Sequence, residues 1–179
     1  MSSKEVILKL IKKNQPDFIS LSLPTISSKM SRADILETFT KTMNSVGGNV
    51  QIIKDLCVVK MHLEEMAATG NRVVNRVQEL NYPVDALPTN SEAVYYENIY
   101  VACIKGVAGV AENAAIWLDE ECMGNRLIPF ICQHLVLVLY RNTIVENMHE
   151  VYKTINVNST KYGAFVAGPS KTADRKSVV

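Results

Sequence analysis

An α/β domain with a mainly parallel sheet and helices on both faces is the fold class that this sequence predicts, and three observations predict it. Apolar runs of strand length recur at residues 93–104, 114–118, 135–140 and 163–167. Segments of helical period lie before and between them, at 32–46, 55–69 and 143–155. Strands that alternate with helices are joined by crossovers, which build a parallel sheet covered on both sides. The third observation is size: 179 residues, 47% of them hydrophobic and 21% charged, are enough for one core and ordinary for a globular domain.

Each element has a local reason. The first residues read as a capped helix, with Ser2 or Ser3 as N-cap, Glu5 in the first turn and Val6, Ile7, Leu10 and Ile11 on one face. It stops near Gln15-Pro16, and an irregular stretch with Pro24 and several serines comes next. Residues 1–30 are therefore expected to be a helix and a variable arm, and 31–179 the α/β domain. Ser31 caps the helix at 32–46, whose apolar face is Ile35, Leu36, Phe39 and Met43, and Gly47-Gly48 ends it. Residues 49–53 alternate as a short strand. The helix at 55–69 carries Leu56, Val59, Leu63 and Met66 and stops at Gly70, and 72–77 reads as a strand. Between 80 and 91, Pro83 and Pro88 mark a loop. Beyond it the strands named above dominate.

Composition excludes several functions. A net charge of +1 and a pI of about 7.6 give no electrostatic case for nucleic acid. Lys9, Lys12 and Lys13 read as the solvated face of the first helix. There is no secretory leader and no apolar run of ~18 residues, so the chain is expected to be cytoplasmic without a membrane span. Cys57, Cys103, Cys122 and Cys132 form no CxxC pair. That spacing argues against a zinc site or an iron–sulfur cluster in this chain, and for reduced thiols.

Two segments carry candidate chemistry. In residues 106–121, Gly106 and Gly109 come after an apolar strand, and Ala108, Ala111, Ala114 and Ala115 flank Glu112. Small neighbours predict a partly desolvated carboxylate of the kind found in functional sites, or a structural acceptor at a strand edge. The second segment is Gly168-Pro169-Ser170-Lys171-Thr172-Ala173-Asp174, a polar turn after an apolar run. Ser170, Lys171, Thr172 and successive backbone N–H groups suit an anion, and Thr172 or Asp174 equally suits a helix cap. Arg126 could grip a carboxylate or phosphate, or pair with Asp119 or Glu120. His134 opens a strand, as a ligand contact or as a hydrogen-bonding residue.

These motifs together resemble the LUD-domain family, the LutC/YkgG-type proteins of lactate utilisation. Residues 168–174 match its GPS-(K/R)-TAD signature. Ala111-Glu112-Asn113-Ala114-Ala115 is similar to its A-E-T-G-(S/T) run, and Ile116-Trp117-Leu118 to the apolar strand after that run. Arg126 and Pro129 fit its R-x-P segment, and His134-Leu135-Val136-Leu137-Val138 its H-(I/L)-V-V strand. Phe39, Gly47 and Gly48 resemble its N-terminal half, so the likeness runs over about 30–174.

The resemblance implies a three-layer, mainly parallel α/β fold of the NagB/RpiA/CoA-transferase type. It implies an accessory subunit that oxidises L-lactate to pyruvate together with iron–sulfur partner proteins, with no cofactor of its own. Glu112, Asn113, Arg126, Pro129, His134, Ser170, Lys171 and Thr172 would line its ligand pocket, with Glu112 as candidate catalytic group. Two departures stand out. Asn113-Ala114 replaces the family's Thr-Gly, and the helix and strand with an H-G-P turn that come after the signature in relatives have no counterpart before Val179. A missing strand would expose a sheet edge that a second copy could cover, giving a homodimer. Glu112-Asn113 also resembles part of the S-E-N-G run of CoA transferases, which keeps open a stand-alone CoA- or sugar-phosphate-binding enzyme. The departures keep open a degenerate paralogue.

Overall fold

The computed structural model describes residues 3–16, 30–83, 93–156 and 160–168. The arm at 17–29, most of the 80–91 loop and everything from 169 onward lie outside the described residues. Helix α1, Ser3–Lys13, leaves Val6, Ile7, Leu10 and Ile11 between 43% and 56% exposed. Helix α2, Arg32–Ser45, begins with a full capping box. Asp34 N donates to Ser31 Oγ at 3.2 Å, and Ser31 N donates back to Asp34 Oδ2 at 3.3 Å. Its buried residues are Ile35, Phe39 and Met43, three of the four positions expected from the period. Helix α3 is Cys57–Ala68, with Leu63 fully buried.

The strands form two sheets. The first is parallel throughout, in the order β1 (Arg72–Asn75), β2 (Ile99–Lys105), β5 (His134–Val138). The second is mixed, in the order β6 (Ile144–Val145), β3 (Ala108–Val110), β4 (Ile116–Asp119), β7 (Gly163–Val166). There β3 pairs with β6 in parallel, while β3–β4 and β4–β7 are antiparallel. The chain passes from one sheet to the other at Gly106-Val107. Gly106 N donates to Val138 O at 2.9 Å and Val107 N to Trp117 O at 3.0 Å, so backbone pairing continues around the corner. A Cβ at Gly106 would lie 2.6 Å from Ile116 Cγ2, which is why the corner residue has no side chain.

A main core packs α2 against Val74, Ala102 and Ile104 of the first sheet and Ile116 and Leu118 of the second. A second cluster buries Leu63 against Val101, Cys103 and Val138 on the other face of the first sheet. A third holds Val110, Trp117 and Val151. Helices on both faces of a parallel sheet give the α/β class that the pattern predicted.

The differences are local. Residues 49–53 are irregular. The run at 93–104 divides into a 3-10 turn, Ala93–Tyr96, and β2, because Tyr96 turns inward, fully buried, with its hydroxyl accepting from Asn125 Nδ2 at 2.9 Å. The helix expected at 143–155 is β6 and then α6, Met148–Thr154. Asn147 starts α6 as a cap, its Oδ1 accepting from Glu150 N at 3.1 Å. Two short helices, α4 (Glu120–Met123) and α5 (Ile128–Ile131), fill the stretch between β4 and β5.

Candidate functional site

Strands β3 and β6 run side by side and end together, so the turn after β3 and the start of α6 meet at one place. Beyond the strands Ala111 N donates to Val145 O at 2.9 Å and Glu112 N to Glu146 O at 3.1 Å. The chain then reverses through Glu112-Asn113-Ala114. Val110 N donates to Ala115 O at 2.8 Å, Asn113 Oδ1 accepts from Ala115 N at 3.0 Å, and Ala114 takes a left-handed φ of 57°. The reversal buries Ala111, Ala114 and Ala115 and turns Glu112 and Asn113 outward. The enclosure expected around Glu112 is therefore absent: the alanines pack inward and the carboxylate is exposed.

That carboxylate is held all the same. Glu112 Oε1 accepts from Met148 N at 2.8 Å, and Met30 N donates to Glu146 Oε2 at 3.4 Å. Arg32 Nη1 donates to Ile144 O at 2.9 Å, which fixes the start of α2 over the first residue of β6. Between these elements lies an open cleft of about 310 Å³, lined by Met30, Thr38, Glu112, Glu146, Asn147 and His149. Two carboxylates and an imidazole favour a ligand that donates hydrogen bonds or carries positive charge, and repel a bare carboxylate or phosphate.

The family model for the LUD domain matches residues 3–179. The chain belongs to the LUD-domain family. No curated protein matches it. Its fold resembles the crystal structure of a DUF162 family protein from Deinococcus radiodurans, with a TM-score of 0.58 and 15% identity, over 78% of this chain and 90% of that one. At that identity the likeness speaks for the fold alone.

The family-signature residues of this LUD-domain chain fall in different places. Glu112 and Asn113 sit at the cleft turn. Arg126 pairs with Glu120, Nη2 to Oε1 at 2.9 Å, and lies 4.7 Å above the Tyr162 ring. Pro129 is buried in the first turn of α5. His134 is exposed at the amino end of β5, its ring 4.8 Å from Tyr100. That is the opposite end of the parallel strands from the carboxyl edge. Ser170, Lys171 and Thr172 lie outside the described residues. Gly168 before them has φ +65°, and a Cβ there would come within 2.8 Å of Val46 O, so Gly168 itself lies against the end of α2.

Glu146, Asn147 and His149 join the cleft although the sequence pattern does not single them out. A signal for them is present. Asn147 with Glu150 three residues later is a helix start placed directly after the β-branched pair Ile144-Val145.

The thiols of the LUD-domain chain are held protonated. Burial pushes Cys103 up to about 12. Burial, with a bond to Asp119, does the same to Cys122. Burial also raises Cys132, and a hydrogen bond to Asp55 raises Cys57. None of the four is poised as a thiolate nucleophile. Among the described residues no group of three His, Cys, Asp or Glu side chains is placed to hold a metal ion, and no helix is long and apolar enough to cross a membrane.

Proposed function

We propose that this LUD-domain chain is an accessory, LutC-like subunit of cytoplasmic L-lactate oxidation to pyruvate. Lactate loses two electrons and two protons in that reaction, and iron–sulfur partner proteins are the electron acceptors. The observation that carries the reading is the family match across residues 3–179. The Glu112–Glu146–His149 cleft suits a cationic or hydrogen-bond-donating group, such as a side chain of a partner, better than lactate itself. The same charges disfavour the phosphates of CoA or a sugar phosphate at that cleft, which ranks a stand-alone enzyme of that kind second. Tagged chain isolated from its own lactate-grown cells is expected to bring down brown, iron-containing proteins. A colourless, iron-free eluate would count against the proposal.

A further inference from the structure

Arg76 carries a buried side-chain donor that meets no partner among the described residues. It comes directly after β1, at the carboxyl edge of the parallel sheet, and its N–H donates to Cys103 O at 2.8 Å. Its side chain crosses to α4 and lies flat on Gly124. A Cβ at Gly124 would sit 2.5 Å from the guanidinium carbon, and Gly124 has φ +70°, so the position is kept open in two ways at once. The residue is half-buried. Its Nε is the sole buried side-chain nitrogen or oxygen without a hydrogen-bond partner among the described residues. No ion pair among the described residues involves Arg76.

The neighbouring charges are already committed. Lys105, at the end of the adjacent strand β2, pairs with Glu79 and lies 5.0 Å over the Tyr140 ring. Asp119 Oδ1 accepts from Cys122 N at 2.8 Å, Glu120 pairs with Arg126, and Glu121 is exposed to solvent. A half-buried arginine is stable where its charge and donors are met, and an unmet buried donor is destabilising. The carboxyl edge of a parallel sheet is also where open α/β folds place ligands.

We propose that Arg76 anchors a small oxyanion, a carboxylate or a phosphate group, at the carboxyl edge of β1. A planar guanidinium fixed on Gly124 offers parallel donors to two oxygens, which a lysine cannot do. The site shares no residue with the Glu112 cleft and does not rest on the lactate reading.

The test is thermal unfolding of the whole chain in rising inorganic phosphate, L-lactate and chloride at matched ionic strength, for the wild type, Arg76→Gln and Arg76→Lys. The proposal expects phosphate, lactate or both to raise the wild-type Tm beyond chloride. The apparent affinity should fall about tenfold or more in Arg76→Gln, and partly in Arg76→Lys. A response to phosphate alone identifies a phosphate group, and a response to lactate alone a carboxylate. Without anion, Arg76→Gln should be as stable as the wild type or more so, because it removes an unpaired charge. A wild-type Tm that depends on ionic strength only, or an equal response in Arg76→Gln, would overturn the proposal. So would an Arg76→Gln chain that is destabilised in the same degree with and without anion.

Discussion

Asn75 is the residue whose removal should cost the most for the fewest atoms lost. Its side chain is fully buried at the end of β1 and makes three hydrogen bonds to the main chain. Nδ2 donates to Val77 O at 3.1 Å and to Tyr82 O at 3.2 Å, and Oδ1 accepts from Val77 N at 2.9 Å. These bonds fold the chain back after β1 and so set the backbone from which Arg76 reaches Gly124. In Asn75→Ala the Val77 N–H loses its acceptor inside a residue that is itself buried, which costs about 1–3 kcal/mol. The two donated bonds add about 1 kcal/mol, because Val77 O keeps its bond from Leu80 N. The expected loss is therefore about 2–4 kcal/mol, or roughly 5–15 °C in Tm for a chain of this size. Urea unfolding monitored by the fluorescence of the single tryptophan, Trp117, measures it. Asn71→Ala is the control, since its amide bonds Thr69 Oγ1 at an exposed position and should change stability by less than about 0.5 kcal/mol. Equal losses in the two variants would refute the reasoning that burial makes the Asn75 bonds matter.

Gly163→Ala would place a Cβ 2.2 Å from Trp117 Cζ2 across the β4–β7 pair, so the indole must move. A loss of about 1–3 kcal/mol and a shifted tryptophan emission are expected, and an unchanged spectrum would be the contrary result. A thiol reagent near neutral pH should label exposed Cys57 first and leave Cys103 untouched until the chain unfolds; early labelling of Cys103 would contradict its burial. Because the folded state holds the Cys103 proton up to about 12 while the unfolded thiol ionises near ~8.5, the folded chain binds more protons above that lower value. Stability from this group is complete below pH ~8.5 and declines as pH rises towards 12, and Cys103→Ala should flatten that decline in urea titrations.

The parts of the fold legible in the sequence were those fixed by local chemistry. Ser31 capped α2, three of the four positions of its apolar period, Ile35, Phe39 and Met43, are its buried face, and the apolar run up to Tyr140 became β5. The parts that escaped depended on tertiary partners. Strand β6 has two residues and exists only because β3 lies beside it. The division of 93–104 arises because Tyr96 finds Asn125, 29 positions away. At the cleft, Glu112 was visible through its small neighbours. Those neighbours pack the core, while Glu146 and His149 were hidden in a segment that reads as continuous helix. Arg76 carried no motif at all, since its isolation is a property of space rather than of sequence.

Growth on L-lactate as sole carbon source, in a strain lacking this chain, tests the proposed role most directly. A LutC-like role predicts that the deletion strain fails on lactate, that the wild-type chain restores growth, and that Glu112→Gln does not. The glutamine keeps the oxygen that accepts from Met148 N, so the variant should remain folded while the cleft loses a charge. A deletion strain that grows on lactate at the parent's rate would contradict the role proposed for this LUD-domain chain. Full rescue by Glu112→Gln would contradict the place given to its cleft.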